Sequence, residues 1–113
     1  MTTKLHPVQT PIIDRSTVSS HYSGAVAVGS DILDASVLPS PITITVVPGG
    51  ACTGLVEYST TPGAAQSPSA AIWQAWPAGA VSAATTDVFL GRLMAIRISM
   101  PSGSYAVAYE VVA

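Results

Sequence analysis

The feature that most constrains the fold is the strict alternation of apolar and small or polar residues in the C-terminal third, residues 85–112. Successive side chains of a strand point to opposite faces, so this period of two predicts strands. A Pro-Ser-Gly turn at 101–103 separates two such runs, and we predict that they form a hairpin with both apolar sets on one face. The residues expected to face inward are Met94, Ile96, Ile98, Tyr105, Val107 and Tyr109.

The same hairpin would bring Arg97 and Glu110 together on its opposite face. An exposed cross-strand pair of this kind contributes at most about 1 kcal/mol. Upstream, ITITVV at 42–47 alternates equally cleanly, with Ile42, Ile44 and Val46 on one face. Pro48-Gly49-Gly50 follows, and residues 55–60 give another strand, so a second hairpin is predicted.

Weaker signals complete the chain. Residues 24–29 indicate a short strand with Val26 and Val28 on one face, and 30–36 a turn or a single helical turn. Residues 61–70 are rich in Pro, Gly, Ala and Ser, which is typical of a surface loop. Six to eight short strands without a helix favour an antiparallel sandwich or barrel. We predict an all-β antiparallel sandwich, Ig-like or jelly-roll-like, over residues 25–113.

Residues 1–24 resemble an extended arm. Pro7 and Pro11 favour extended backbone. Such a segment can order on a partner, although an edge strand on the domain's own sheet fits the pattern equally well. The apolar residues of this segment, which we take as candidate partner contacts, are Leu5, Val8, Ile12 and Ile13.

Charge is scarce: ten of 113 residues, or 9%, are Asp, Glu, Lys or Arg, against roughly 25% in an ordinary domain. Between residues 35 and 86 the only charged residue is Glu57. A free monomer normally keeps a mixed charged surface for solubility. The composition therefore favours a protein whose surface is covered by neighbours in an assembly.

The remaining classes lack their signatures. A net charge of −2 with scattered basic residues gives no stripe for nucleic acid, and no apolar run reaches the ~20 residues of a membrane span. The N-terminus lacks the apolar core of a signal peptide. The single cysteine, Cys52, cannot form an internal disulfide, which fits synthesis in a reducing cytoplasm.

Chemistry is equally hard to find. His6 and His21 lie in the predicted arm, far from Cys52, so no nucleophile–base or metal spacing exists. We predict no catalytic, metal or cofactor site and no enzymatic activity. Trp73 is expected in the core. Trp76, next to Pro77 and a turn, is the better candidate for an exposed Trp that stacks on sugar or anchors an interface.

Three motifs carry a family resemblance: VEYSTTP at 56–62, WQAWPAGAV at 73–81 and LMAIRI at 93–98, followed by a closing strand after Gly103. In the order and general character of these motifs, residues 42–113 resemble the small β-sandwich virion proteins of tailed bacteriophages. The resemblance implies a structural protein, made in the bacterial cytoplasm and placed on the capsid surface as a decoration or cement protein. Its implied partners are the major capsid protein and further copies of itself, with a trimer suiting capsid three-fold positions. The alternative it allows is a neck, tail or head-fibre module that recognises a host glycan through Trp76.

Overall fold

The computed structural model describes residues 3–6, 12–13, 18–19, 21–27, 29–103 and 105–113. Within them the chain forms strands and one short 3-10 helix, Pro68–Ala70. In chain order the strands are β1 (Thr3–His6), β2 (Ile12–Ile13), β3 (Val18–Ser19), β4 (His21–Val26), β5 (Ser30–Asp34), β6 (Ile42–Pro48), β7 (Cys52–Ser59), β8 (Gln74–Ala75), β9 (Thr85–Phe89), β10 (Ala95–Gly103) and β11 (Val107–Val112).

Two sheets pack face to face. The five-stranded sheet has the order β1-β5-β10-β7-β8 and the four-stranded sheet the order β4-β11-β6-β9, while β2 and β3 pair with each other in a separate two-stranded sheet. Neighbouring strands run antiparallel, except that β1 lies parallel to β5 at the edge of the larger sheet. The predicted all-β antiparallel sandwich is confirmed.

The core lies between the two sheets and follows the alternation. Ile42, Ile44 and Val46 of β6 are fully buried, as predicted, and so are Ile96 and Ile98 of β10 across the core. Burying one such side chain stabilises the fold by about 1.5–3 kcal/mol. Within the C-terminal segment two inward placements are wrong: Tyr105 is 58% exposed, and Met94 packs in a second, smaller cluster outside the main core.

Both predicted hairpins are wrong. β6 and β7 belong to different sheets, and so do β10 and β11. Each connecting turn instead carries the chain across the sandwich. The apolar pattern did not show this, because two strands that face each other through the core have the same alternation as two neighbours in one sheet. The predicted Arg97–Glu110 pair is therefore wrong as well. Arg97 lies opposite Glu57 of β7, and its Nε is 3.1 Å from the Glu57 carboxylate.

The predicted turn or helical turn at 30–36 is also wrong, because residues 30–34 form strand β5. This strand is buried on both faces. Leu33 belongs to the main core, and Ile32 lies under a loop on the outside. Continuous burial removes the alternation that would have revealed a strand.

The N-terminal boundary also differs. Strand β4 begins at His21 and pairs with β11, so residues 21–24 belong to the sandwich. Thr3–His6 forms an edge strand on the domain's own sheet. This is the second of the two structures that the sequence allowed for this part of the arm. Val26 is buried as expected, whereas Val28 lies outside the described residues.

Candidate interaction surfaces

The two tryptophans exchange their predicted places. Trp76 is 2% exposed and belongs to the main core, so the expectation that it lies on the surface is wrong. Its backbone N–H donates to the Val56 carbonyl. The indole N–H donates to the carbonyl of Gly79 at 2.6 Å. The turn after Pro77 thus folds back and supplies the polar partner that a buried indole needs.

Trp73 lies instead on the outer side of the five-stranded sheet, where it is half-buried. Its indole N–H donates to the Pro68 carbonyl at 2.9 Å, and the Arg97 guanidinium lies 4.3 Å from the centre of its ring. Ala64 and Ala65 of the preceding loop are buried against Ile32. The segment 61–73 therefore covers this outer face with the chain's own residues, and the Arg97–Glu57 pair is part of the cover.

The outer face of the four-stranded sheet is different. Its exposed or half-buried side chains come from the outward positions of β4, β6, β9 and β11. No described segment packs over them, and the exposed fractions are 44% for Val47, 47% for Val88 and 37% for Val112. We call this surface the open face, defined by Ser23, Ala25, Thr43, Thr45, Val47, Thr86, Val88, Ala108, Glu110 and Val112.

The strand register orders the open face into three rows. Val112, Thr43 and Val88 lie side by side in the first row. Ser23, Glu110, Thr45 and Thr86 form the second, and Ala25, Ala108 and Val47 the third. The hydroxyls of Thr45 and Thr86 are 2.9 Å apart and hydrogen bond to each other. The face is therefore flat and made largely of Val, Thr and Ala.

Glu110 lies in the middle row of this face. It is exposed, and among the described residues no hydrogen-bond or ion-pair partner reaches its carboxylate. Beside it is a shallow depression of about 220 Å³, lined by Thr45, Val47, Ala108, Tyr109 and Glu110. The small side chains of Ala108 and of its cross-strand neighbour Ala25 leave the surface low at this point.

A second concave surface lies in the loop after β5. A cleft of about 440 Å³ is lined by residues 36–40 and Arg92. Nη2 of Arg92 donates to the carbonyl of Ser36 at 3.4 Å, which is a long hydrogen bond. Val37 at the cleft is 59% exposed. The cleft offers one cation, apolar walls and two serines. The hydroxyls of Ser36 and Ser40 already donate to the Asp34 carboxylate and the Leu90 carbonyl, so Arg92 is the main group that could orient a ligand.

Two buried tyrosines connect the sheets. The Tyr109 hydroxyl donates to the Asp31 carboxylate at 2.7 Å, and the Tyr22 hydroxyl donates to the Asp34 carbonyl at 2.8 Å. Burial raises the pKa of Tyr22 to about 12, helped by the nearby charge of Asp34. Burial also raises the pKa of Tyr109, together with its hydrogen bond to Asp31. Because both Tyr109 and Asp31 are about 4% exposed, this pair serves the structure and is closed to a substrate.

The described residues contain no group of three or more His, Cys, Asp and Glu side chains that could hold a metal ion. Cys52 is buried, with its thiol 3.9 Å from the Ala106 carbonyl. Of the predicted partner contacts, Leu5, Ile12 and Ile13 are described only as strand backbone, and Val8 lies outside the described residues. His6 and His21 are likewise described only by their backbone.

Comparisons with protein-family models, curated proteins and solved structures found no match for this chain. In the part of the chain that the structure describes, no helix is long and apolar enough to span a membrane. The open face was missed from the sequence, although one signal was present: Thr43, Thr45 and Glu110 alternate with the core residues of β6 and β11. The predicted Arg97–Glu110 pair concealed that Glu110 lies on this face without Arg97, which pairs with Glu57 instead.

Proposed function

We propose that this protein is a bacteriophage virion structural protein, a decoration or cement protein that binds the major capsid protein shell non-covalently. The observation that carries the proposal is how little unpaired charge the described surface presents. The family resemblance of residues 42–113 supports the choice of a phage virion. In this proposal the protein has no enzymatic activity and is located on the capsid surface.

Most of the charged side chains that the structure describes are used within the fold. Asp31 is buried and accepts a hydrogen bond from Tyr109, and Glu57 pairs with Arg97. The carboxylate of Asp34 accepts hydrogen bonds from Ser36 and from Gln66, and that of Asp87 accepts one from the backbone N–H of Val88.

After these are set aside, Glu110 and Arg92 are the exposed charges left among the described side chains. A surface this poor in charge is unusual for a protein that remains monomeric in solution, where interspersed charges prevent association. It suits a protein whose faces are covered by subunits of a larger assembly. Stabilisation of a shell would then come from many copies, each bridging neighbouring subunits, because linked contacts raise the total affinity well beyond that of one site.

The N-terminal segment contributes to this bridging in our proposal. Thr3–His6 is tied to the sandwich through β5, and the chain returns to it at His21. Between them the described residues of β2 and β3 pair with each other in a separate two-stranded sheet. An isolated two-stranded ribbon has marginal stability in water, so we propose that a neighbouring subunit supports it, with Ile12 and Ile13 among the contacts.

The test compares phage particles assembled with and without the protein. Particles that lack it should lose infectivity or release DNA at a lower temperature and after weaker osmotic shock, and adding purified protein back should restore resistance. Equal resistance with and without the protein, together with failure to co-sediment with shells, would refute the proposal. The glycan-binding alternative depended on an exposed Trp76, and the burial of that side chain removes the observation that favoured it.

A further inference from the structure

We propose that the open face is the surface by which the protein docks on the capsid shell, and that the shell presents a flat apolar patch with one Lys or Arg opposite Glu110. The identity of the partner rests on the proposed function. The location of the surface and the chemistry it demands rest on the structure.

The first observation is the contrast between the two outer faces of one sandwich. The face of the five-stranded sheet is covered by segment 61–73, with Trp73 stacked under Arg97. The open face has no such cover among the described residues, yet it exposes Val47, Val88 and Val112. When one face of an antiparallel sheet is exposed to water, the outward side chains of its strands are normally polar or charged. A Val, Thr and Ala face is therefore expected to be covered by another molecule.

The second observation is the position of Glu110 in the middle row of that face. Covering an ionised carboxylate with an apolar surface alone removes its hydration without replacement, which is strongly unfavourable. A partner that covers the face must therefore bring donors to this point. Lys or Arg supplies both the donors and the opposite charge, and complementary charge also fixes the register of the contact. The depression beside Glu110, which Ala108 leaves open, provides space for the stem of such a side chain.

A second copy of this chain is a poorer occupant. Two-fold packing of the open face on itself brings the two Glu110 carboxylates towards each other without a cation from the described part of the face. The area is also small. Four strands about 4.8 Å apart and five residues of about 3.3 Å each cover roughly 300 Å², well below the roughly 800 Å² per partner of a standard stable interface. One contact through this face is weak, so it suits multivalent attachment to a shell with repeated sites.

The test measures co-sedimentation of purified protein with empty shells assembled from the major capsid protein alone. Ala108→Trp places a bulky group on the flat face, and we expect at least tenfold weaker binding. Glu110→Gln keeps the shape and removes the charge, and we expect binding weakened at least about thirtyfold, the lower limit for losing one partner of a buried charge pair. Both positions are exposed, so unchanged thermal melting should confirm that both variants fold.

Matched controls use the opposite sheet. Ala75→Trp makes the same substitution at an exposed position of β8, and Glu57→Gln makes the same change in net charge on the covered face. Both controls should bind shells as the wild type does.

The outcomes separate the two proposals. If the wild-type protein fails to bind shells, the proposed function is refuted. If it binds and the Ala108→Trp and Glu110→Gln variants bind equally well, the open face is not the docking surface. A concentration-dependent dimer in sedimentation velocity that Ala108→Trp abolishes would also overturn the inference, because the occupant would then be a second copy.

Discussion

The hydrogen bond between Tyr109 and Asp31 gives the sharpest test of how the sandwich is held together. It joins β11 of one sheet to β5 of the other, with 2.7 Å between the hydroxyl and the carboxylate oxygen. A hydrogen bond to a charged group contributes about 1.5–3 kcal/mol. We expect Tyr109→Phe to lower the free energy of unfolding by about this amount, because the aromatic ring stays and only the donor is lost.

The expected change in melting temperature follows from the chain length. With about 2.1 cal/mol/K per residue, unfolding a chain of 113 residues carries an entropy of about 0.24 kcal/mol/K near 60 °C. A loss of about 1.5–3 kcal/mol then lowers the melting temperature by about 6–13 °C. Urea and thermal unfolding followed by circular dichroism measure both quantities.

Tyr58→Phe is the matched control. It deletes the same atom, but the Tyr58 hydroxyl donates to Gln74 at 3.1 Å in an exposed position. Water replaces that partner, so the loss should be below about 0.5 kcal/mol. Equal losses for the two variants would refute the reasoning, since they would show that burial of the Asp31 pair contributes nothing extra.

Gly24 provides an independent check on the same contact. A Cβ at this position would lie 2.8 Å from the Tyr109 hydroxyl oxygen, so Gly24→Ala should push the hydroxyl away from Asp31. In the Tyr109→Phe background that oxygen is absent, and the nearest ring carbon is 3.1 Å away. The cost of Gly24→Ala should therefore fall by about 1 kcal/mol in the double variant, and strict additivity would contradict this geometry.

Two further predictions concern the buried aromatic residues. Because burial in the folded protein raises the pKa of Tyr22 to about 12, the contribution of this residue to stability is intact below pH 10 and is lost as the pH rises towards 12. The pKa of Tyr109 is raised as well, so both tyrosines lower the free energy of unfolding at pH 11, and Tyr22→Phe should remove about 1.4 kcal/mol of that loss. Urea unfolding at pH 11 measures the loss, and a pH-independent stability would contradict the prediction. Trp76→Ala should cost about 3–5 kcal/mol, as for other buried large residues, while Trp73→Ala, at a half-buried position, should cost less than half as much in the same denaturant titration. A larger loss for Trp73→Ala than for Trp76→Ala would contradict the structure and favour the sequence prediction that Trp73 lies in the core.

Which strands form, and which side chains face the core, was largely predictable from the sequence. In β6 the alternation of Ile42, Ile44 and Val46 with threonine matches the observed burial. In β11 the buried positions are Val107, Tyr109 and Val111, as the period of two requires. Burial on one face is a local property of a strand, so a local pattern is sufficient to predict it.

Pairing was not predictable in the same way. A period of two identifies the apolar face of a strand, but it does not distinguish a neighbour in the same sheet from a strand across the core. β10 and β11 therefore appeared as a hairpin, although they lie in different sheets. Similarly, nothing near Trp76 in the sequence shows that the Gly79 carbonyl will accept its indole N–H. That partner exists only once the turn has folded.

The isolation of Glu110 follows directly from this pairing. On the sequence pattern, Arg97 and Glu110 share one face of one sheet and neutralise each other. The crossover from β10 to β11 instead places them on opposite outer faces of the sandwich. Arg97 then contacts Glu57 and Trp73 on the outer side of the five-stranded sheet. Glu110 lies in the middle row of the open face, which consists largely of Val, Thr and Ala. One topological fact thus places Arg97 on the covered face and leaves Glu110 on the open face. The partner that we propose for the open face is therefore defined by this carboxylate, which among the described residues has no cation beside it.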